Sequence, residues 1–242
     1  MPEGDFDRTR SLLESRALAG DPASAYRLAE VIGRCRTYTS MSDGVFARLL
    51  ASAAGMLGAL RIDGERIGVR DAIDLIADAK ADMDALCSGT EATRASMQPA
   101  DAFRWNHRAA MLGDTRAMAA YADYAFTEFP TSADLMDHAA EVARRRVTAR
   151  AMLERALQAG EPTALKSFSA AHSHTGWLQR DPVLALSYWD AYRRTSEGHG
   201  LSAVQAAIVD RHLRNRVGAA GEREAQRRAA DLLARYFPGV RP

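Results

Sequence analysis

The sequence predicts an all-α fold, a right-handed superhelix (α-solenoid) of antiparallel helix-turn-helix repeats, and three observations predict it. A phrase recurs: AGDPASAYRLA from Ala19 to Ala29 returns as LGDTRAMAAYA from Leu112 to Ala122 and as AGEPTALKSFS from Ala159 to Ser169. Apolar residues flank each copy at helical spacing. Composition agrees, since 47% hydrophobic but only 7% aromatic residues leave alanine, leucine and other small or aliphatic groups to fill a closely packed helical core. A repeat array of 242 residues is a single domain spanning 1–242, elongated and without an internal boundary.

Helices are expected near 5–19, 22–36, 42–60, 69–86, 100–112, 115–128, 132–158, 162–173, 181–195, 202–216 and 221–237. Gly20, Gly113 and Gly160 close the first helix of each unit, because glycine takes the left-handed conformation at low cost. Asp21 and Asp114 are good N-caps for the helix that follows, and Glu161 is a poorer acid at the same place. Pro22 and Pro162 fall at the first helical position, where a missing N–H costs nothing. Ser24, Ala117 and Ala164 let two helices approach, and Leu28, Tyr121 and Phe168 lie on the same face one turn later. Leu12, Trp105 and Met152, eight residues before each glycine, extend the inward stripe onto the first helices.

The remaining elements follow from caps and breakers. Ser42 and Asp43 are candidate caps for the third helix, Asp101 for the fifth, Thr131 or Ser132 for the seventh and Ser202 for the tenth, while Pro130 and Gly200 mark boundaries. The stretch 132–158 is long for one hairpin arm and is expected to break around Arg146. Arg61 to Arg70 is short, glycine-broken and charged, and reads as a loop. From Gly20 to Gly113 is 93 residues and from Gly113 to Gly160 is 47, against about 34 for a tetratricopeptide unit. A divergent helical hairpin at 42–87 accounts for the longer interval. Residues 202–237 form a C-terminal capping region, its last helix polar on one face and apolar on the other.

The units resemble Sel1-like repeats, relatives of the tetratricopeptide helical hairpin, in a divergent member of that family. The match is clearest at the third unit, where Arg180 to Tyr192 is similar to the closing D-x-x-x-A-x-x-W-x-x-x-A helix through Asp181, Ala185, Trp189 and, less well, Tyr192. The resemblance covers about half of the chain in three patches. It departs from the family at Ala29, Ala122 and Ser169, where a glycine is usual.

Lys80 and Lys166 are the only lysines, so 30 of the 32 basic residues are arginine; 31 acids leave a net charge of +1. Near-neutral charge disfavours a nucleic-acid partner, and Arg144, Arg145 and Arg146, like Arg211, Arg214 and Arg216, are read as solvated helix faces. Arginine bias reflects the codon usage of a GC-rich, bacterial genome. No apolar run approaches the roughly 20 residues of a membrane span.

Cys35 and Cys87 each end a predicted helix, and two helix ends can meet. A disulfide between them would close a loop of about 50 residues, contribute about 3–4 kcal/mol and imply export. Two buried free thiols in a cytoplasmic protein are the alternative. Met1 to Arg10 has no apolar signal core, so the exported reading expects a signal sequence absent from this chain. Resemblance to exported Sel1-like bacterial proteins, which place a cysteine pair around a similar insertion, tilts the reading toward the periplasm.

Catalytic patterns are missing: there is no G-x-S-x-G elbow, phosphate-cradling glycine loop, H-E-x-x-H pair or C-x-x-C pair. His172 and His174, two apart on a helix, point about 200° apart and make a poor metal pair. No catalytic residue, metal or cofactor is assigned. The expected function is that of a non-enzymatic scaffold or adaptor that binds another protein or a peptide through a concave surface lined by Arg104, His107, Arg108, Met111 and Glu154. The alternative is an accessory or catalytic helical domain acting on cell-wall material, with Glu141, Glu154 or Asp190 as conceivable acids and a desolvated acid in a cleft as its signature. The sequence leaves the oligomeric state open, with a monomer allowed.

Overall fold

Three turns of this chain are built alike. In the computed structural model, which describes residues 6–57, 61–62, 65–66, 68–174 and 176–240, Gly20, Gly113 and Gly160 take φ of +101°, +102° and +74°. In each turn the glycine N–H donates to the carbonyl three residues back and the next N–H reaches five back: Gly20 to Ala17 and Asp21 to Arg16, Gly113 to Ala110 and Asp114 to Ala109, Gly160 to Leu157 and Glu161 to Ala156. These bonds satisfy carbonyls that a helix end leaves without partners. The acid then caps the next helix. Asp21 accepts from the Ala23 N–H at 3.1 Å, Asp114 from Ala117 at 2.9 Å and Glu161 from Thr163 at 3.2 Å. Glu161 compensates for its weaker capping propensity by accepting from two hydroxyls as well, Thr115 at 2.8 Å and Thr163 at 2.9 Å.

The described residues form fourteen α-helices. They are α1 (Phe6–Leu18), α2 (Pro22–Cys35), α3 (Asp43–Leu57), α4 (Val69–Cys87), α5 (Pro99–Met111), α6 (Thr115–Ala119), α7 (Tyr121–Ala125), α8 (Ser132–Asp137), α9 (Ala139–Gln158), α10 (Pro162–His172), α11 (Pro182–Tyr192), α12 (Ser196–His199), α13 (Ala203–Arg214) and α14 (Ala219–Tyr236). α1 packs on α2, α2 on α5, and α5 on α6 and α7; those two meet α9, α9 meets α10, α10 meets α11, and α11 meets α13 and α14. The α3–α4 hairpin stands outside this sequence, with α4 against α2 and α13.

Ser24, Ala117 and Ala164 are fully buried, and Leu28, Tyr121 and Phe168 one turn later are buried too. Trp105 and Met152 face inward as expected. Leu12 does not: it is 53% exposed, and Leu13 takes the buried place. α5 and α9 each have helices on two flanks, whereas α1 is the first helix and meets α2 along one flank, so only the Phe6, Leu13 and Ala17 side of its stripe is covered.

Other boundaries also differ. The helix expected at 115–128 is divided at Ala120 (φ −88°, ψ 2°). The long segment breaks at His138, and α9 runs unbroken through Arg146. At His138 the imidazole stacks on Phe129 with centroids 5.0 Å apart, and its Nδ1 lies 2.9 Å from the Asp134 carbonyl oxygen, competing locally with the helix pattern. Across Arg146 the Glu141–Arg145 pair at 2.7 Å, four residues apart, supports continuation. Asp101 is not a cap: Pro99 starts α5 after Gln98, which leaves Asp101 in the first turn. Thr131, rather than Ser132, caps α8 in a reciprocal box with Asp134, and Ser202 caps α13. The 181–195 helix stops at Tyr192, and Thr195 caps the extra turn α12.

The expected 42–60 helix is α3 as far as Leu57; residues 58–60 lie outside the described residues. In the loop expected at 61–70, β1 (Arg61–Ile62) and β2 (Glu65–Arg66) pair antiparallel, Arg61 opposite Arg66. The sequence between them is Asp-Gly, the dipeptide hairpin connections favour.

Cys35 and Cys87 are joined, with Sγ atoms 2.02 Å and Cα atoms 5.4 Å apart. A polar clasp lies beside the bond. Asp84 on α4 accepts from the Tyr38 hydroxyl at 2.7 Å, the Ser40 hydroxyl at 2.6 Å and the Lys80 ammonium at 2.5 Å. These donors hold its carboxyl down to about 2, Lys80 contributing most. Lys80 also reaches Asp43 at 2.8 Å, and both bonds raise its own pKa.

Candidate functional site

Arg104, His107, Arg108 and Met111 occupy positions i, i+3, i+4 and i+7 of α5, a spacing that places them along one face. Ala102, Asn106, Ala109 and Ala110 form the buried side of the same helix. With Glu14 and Leu18 of α1, the four line a groove of about 720 Å³ floored by Trp105. Its apolar members are open to water: Leu18 is 64% exposed, Met111 59% and Leu112 43%. Isolated exposed side chains are ordinary; three adjoining one concavity form a patch.

The polar members have distinct attachments. Arg104 lies over the Trp105 ring, 5.3 Å from its centroid, and pairs with Asp101 at 3.0 Å, but its side chain remains mostly exposed. Arg108 donates from Nε to the Ala17 carbonyl and from a terminal nitrogen to the Leu18 carbonyl, both at 2.8 Å. It therefore caps the end of α1 and gives the groove one of its walls. His107 Nδ1 is 2.8 Å from the Tyr121 hydroxyl, and Phe103 packs edge-on against Tyr121. Burial of part of the ring, and then the Arg145 guanidinium, hold His107 below the usual imidazole range, so it is neutral at pH 7.

Glu154 is not brought to this groove. It pairs with Arg150 at 2.9 Å, beside a separate cavity of about 420 Å³ walled by the stacked rings of Phe168, His172 and Tyr188. Glu141 is clamped by Arg144 and Arg145, which lower its pKa. Asp190 is buried between α11 and α13, where burial raises its pKa against the pull of Arg214, 2.7 Å away. Next to it the Trp189 indole donates to Asp210 at 2.6 Å. Of the two arginine groups, Arg144 and Arg145 serve Glu141 and Glu128, and Arg214 serves Asp190.

A third concavity was not foreseen from the sequence. About 650 Å³ in volume, it is walled by α2, α6, α7, α9 and α10 together with Trp177. Asp123 and Lys166 open into it. Asp123 keeps contact with water but is crowded by protein, which raises its pKa, with Lys166 opposing. The one available signal in the sequence was Lys166 itself, one of two lysines among thirty-two basic residues.

Among the described residues, no group of three histidines, cysteines or acids is placed to hold a metal, and no helix is long and apolar enough to cross a membrane. Comparison of the chain with known protein families, with curated proteins and with solved structures finds no match.

Proposed function

We propose that this chain is a non-enzymatic interaction scaffold, a divergent Sel1-like array wound as a right-handed superhelix, which binds a partner protein or peptide along the α1–α5 groove. The observation that carries the reading is the groove itself: exposed Leu18, Met111 and Leu112 beside a largely exposed Arg104 and a neutral His107. Apolar anchors with a polar, arginine-bearing rim are what protein interfaces use. Three turns with the same hydrogen bonds, and helices that pack largely in chain order, support the repeat reading. The disulfide supports an oxidising compartment.

The cell-wall reading asks for a desolvated acid in a cleft, and Asp123 meets it only in part, since it lines a cavity and its pKa is raised but its side chain stays exposed. Hydrolysis of a glycosidic bond generally uses a second carboxylate. The other carboxylate lining the same cavity, Glu30, is held by Arg27 at 3.2 Å and Arg34 at 3.7 Å. We therefore favour the scaffold.

Affinity capture with the intact chain, followed by identification of what is retained, tests the proposal when repeated with Arg104→Glu and Met111→Glu together. Arg108 is left alone because it holds α1. Loss of the retained partner with an unchanged melting temperature supports the groove; undiminished capture refutes it.

A further inference from the structure

The cavity between α2, α6, α7, α9 and α10 presents polar groups that the protein does not use. Most of its charges are matched internally. Arg116 pairs with Asp114 at 3.6 Å and lies 5.2 Å over the Tyr26 ring, and Arg34 and Glu30 pair with each other. Two charges are left. Neither Lys166 nor Asp123 has a hydrogen bond or ion pair among the described residues, and the two do not pair with each other, although each feels the other's charge.

Neutral groups in the same walls are also unpartnered. The Tyr26 and Tyr124 hydroxyls and the Trp177 indole N–H have no hydrogen-bond partner among the described residues. Tyr124 is only 8% exposed. None of these three polar atoms is itself sealed from solvent, so water can meet them where they converge on one cavity and a ligand's acceptors can take its place. Burial, reinforced by Glu30, pushes the Tyr26 phenol up to about 12, and burial raises Tyr124 further, so both remain hydrogen-bond donors at neutral pH. The Tyr124 ring is held in place by Gly33: a β-carbon there would come within 2.6 Å of it.

From these groups we infer that the cavity binds a small zwitterion of the amino-acid or free-ended dipeptide class. Its carboxylate meets Lys166 and the tyrosine hydroxyls, and its ammonium meets Asp123. A lone anion would face the repulsion of Asp123 and Glu30, and a lone cation that of Lys166, Arg34 and Arg116; one small molecule bearing both signs satisfies both free charges. The volume suits it, since pockets for small ligands run from roughly 300 to 1,000 Å³ and are mostly apolar with a few convergent polar groups. Ala119, Ala120, Leu153 and the faces of Tyr26 and Trp177 supply the apolar part.

The test is calorimetric titration and melting of the full chain with the common L-amino acids and a set of free-ended dipeptides, each at millimolar concentration. At least one is expected to bind and to raise the melting temperature. Its N-acetylated form, its C-terminal amide, and the variants Asp123→Asn and Lys166→Met should each weaken binding about tenfold or more, the loss expected when a charged hydrogen bond goes unmade. Because neither side chain has a protein partner, both variants should melt as the native chain does. The capped ligands test the same charges without altering the protein. No binding by any member, equal binding of the capped forms, or native affinity in both variants overturns the inference. Arg104→Glu with Met111→Glu should leave this binding unchanged, which keeps its outcome separate from that of the α1–α5 groove.

Discussion

Removing the Cys35–Cys87 bond by replacing both cysteines with alanine should destabilise the chain mainly through its unfolded state. The bond closes a segment with a sequence separation of 52. On the chain-entropy account, opening such a loop costs about 4 kcal/mol of stability at 25 °C. For a chain of this size that lowers the melting temperature by roughly 8–16 °C. Both cysteines are buried, so the double variant also leaves a void of two sulfur atoms, which adds to the loss. Urea denaturation of the oxidised chain, the reduced chain and the double variant measures the effect, and amide exchange locates it. The reduced chain isolates the loop term, and the double variant should lose the same amount plus the cost of the void. Exchange should accelerate most in α3 and α4, because the hairpin is then held by non-covalent contacts such as the Asp84 clasp and the packing of α4 on α2 and α13. A loss below about 1 kcal/mol, with α4 protection unchanged, would falsify the loop-entropy reasoning.

Four other outcomes follow from the geometry. Gly113→Ala should cost roughly 1–2 kcal/mol in thermal melts, because nothing crowds a β-carbon there and the positive φ alone penalises it. Gly33→Ala should cost about 1–3 kcal/mol by displacing the Tyr124 ring, partly offset by about 1 kcal/mol of helix propensity; a stabilised variant would disprove the close contact. Arg108→Ala should lose about 1–2 kcal/mol with two charged hydrogen bonds to the end of α1, whereas Arg104→Ala, exposed, should stay within about 0.5 kcal/mol of native. Asp84 has a folded pKa near 2, below the unfolded value of about 3.9, so its contribution is present above pH 4 and disappears as the pH falls toward 2. Amide exchange in α4 should therefore rise over that window, weakly because the site meets solvent, and Asp84→Asn should abolish the dependence.

What the sequence made legible was local. Gly20, Gly113 and Gly160, their caps and the residues four positions on are set by bonds spanning five residues or fewer, so composition at a few positions determines the geometry. Leu12 was misplaced because helical spacing defines a stripe but not which flank of it a neighbour covers. His138 rather than Arg146 interrupts the long segment because the break depends on a ring, Phe129, nine residues earlier. The groove residues of α5 could be grouped by their spacing, yet that Arg108 also bonds the end of α1 depends on Ala17 and Leu18, some ninety residues away. The cavity escaped entirely: Tyr26, Asp123 and Lys166 come from α2, α7 and α10 and share no pattern.

The arginine bias acquires a structural use once the long-range bonds are traced. Arg108 of α5 donates to the last carbonyls of α1, Arg145 of α9 to the Ala125 carbonyl at the end of α7, and Arg193 to the Gly198 carbonyl in α12 at 2.5 Å. Each acceptor lies in the final turn of a helix, where unpaired carbonyls concentrate negative charge. The planar fork allows one guanidinium to serve several acceptors at once: Arg145 binds Ala125, Glu128 and Glu141 while its face lies 3.9 Å from the centroid of Phe103. A lysine ammonium is a point charge and could not stack while bonding in a plane. Codon usage can account for how many arginines the chain has, but not for Arg108 and Arg145 each reaching back to seal the end of an earlier helix. That recurring bond makes helix-to-helix register in this fold partly electrostatic, a contribution that packing of small residues such as Ala17, Ala109 and Ala125 does not supply alone.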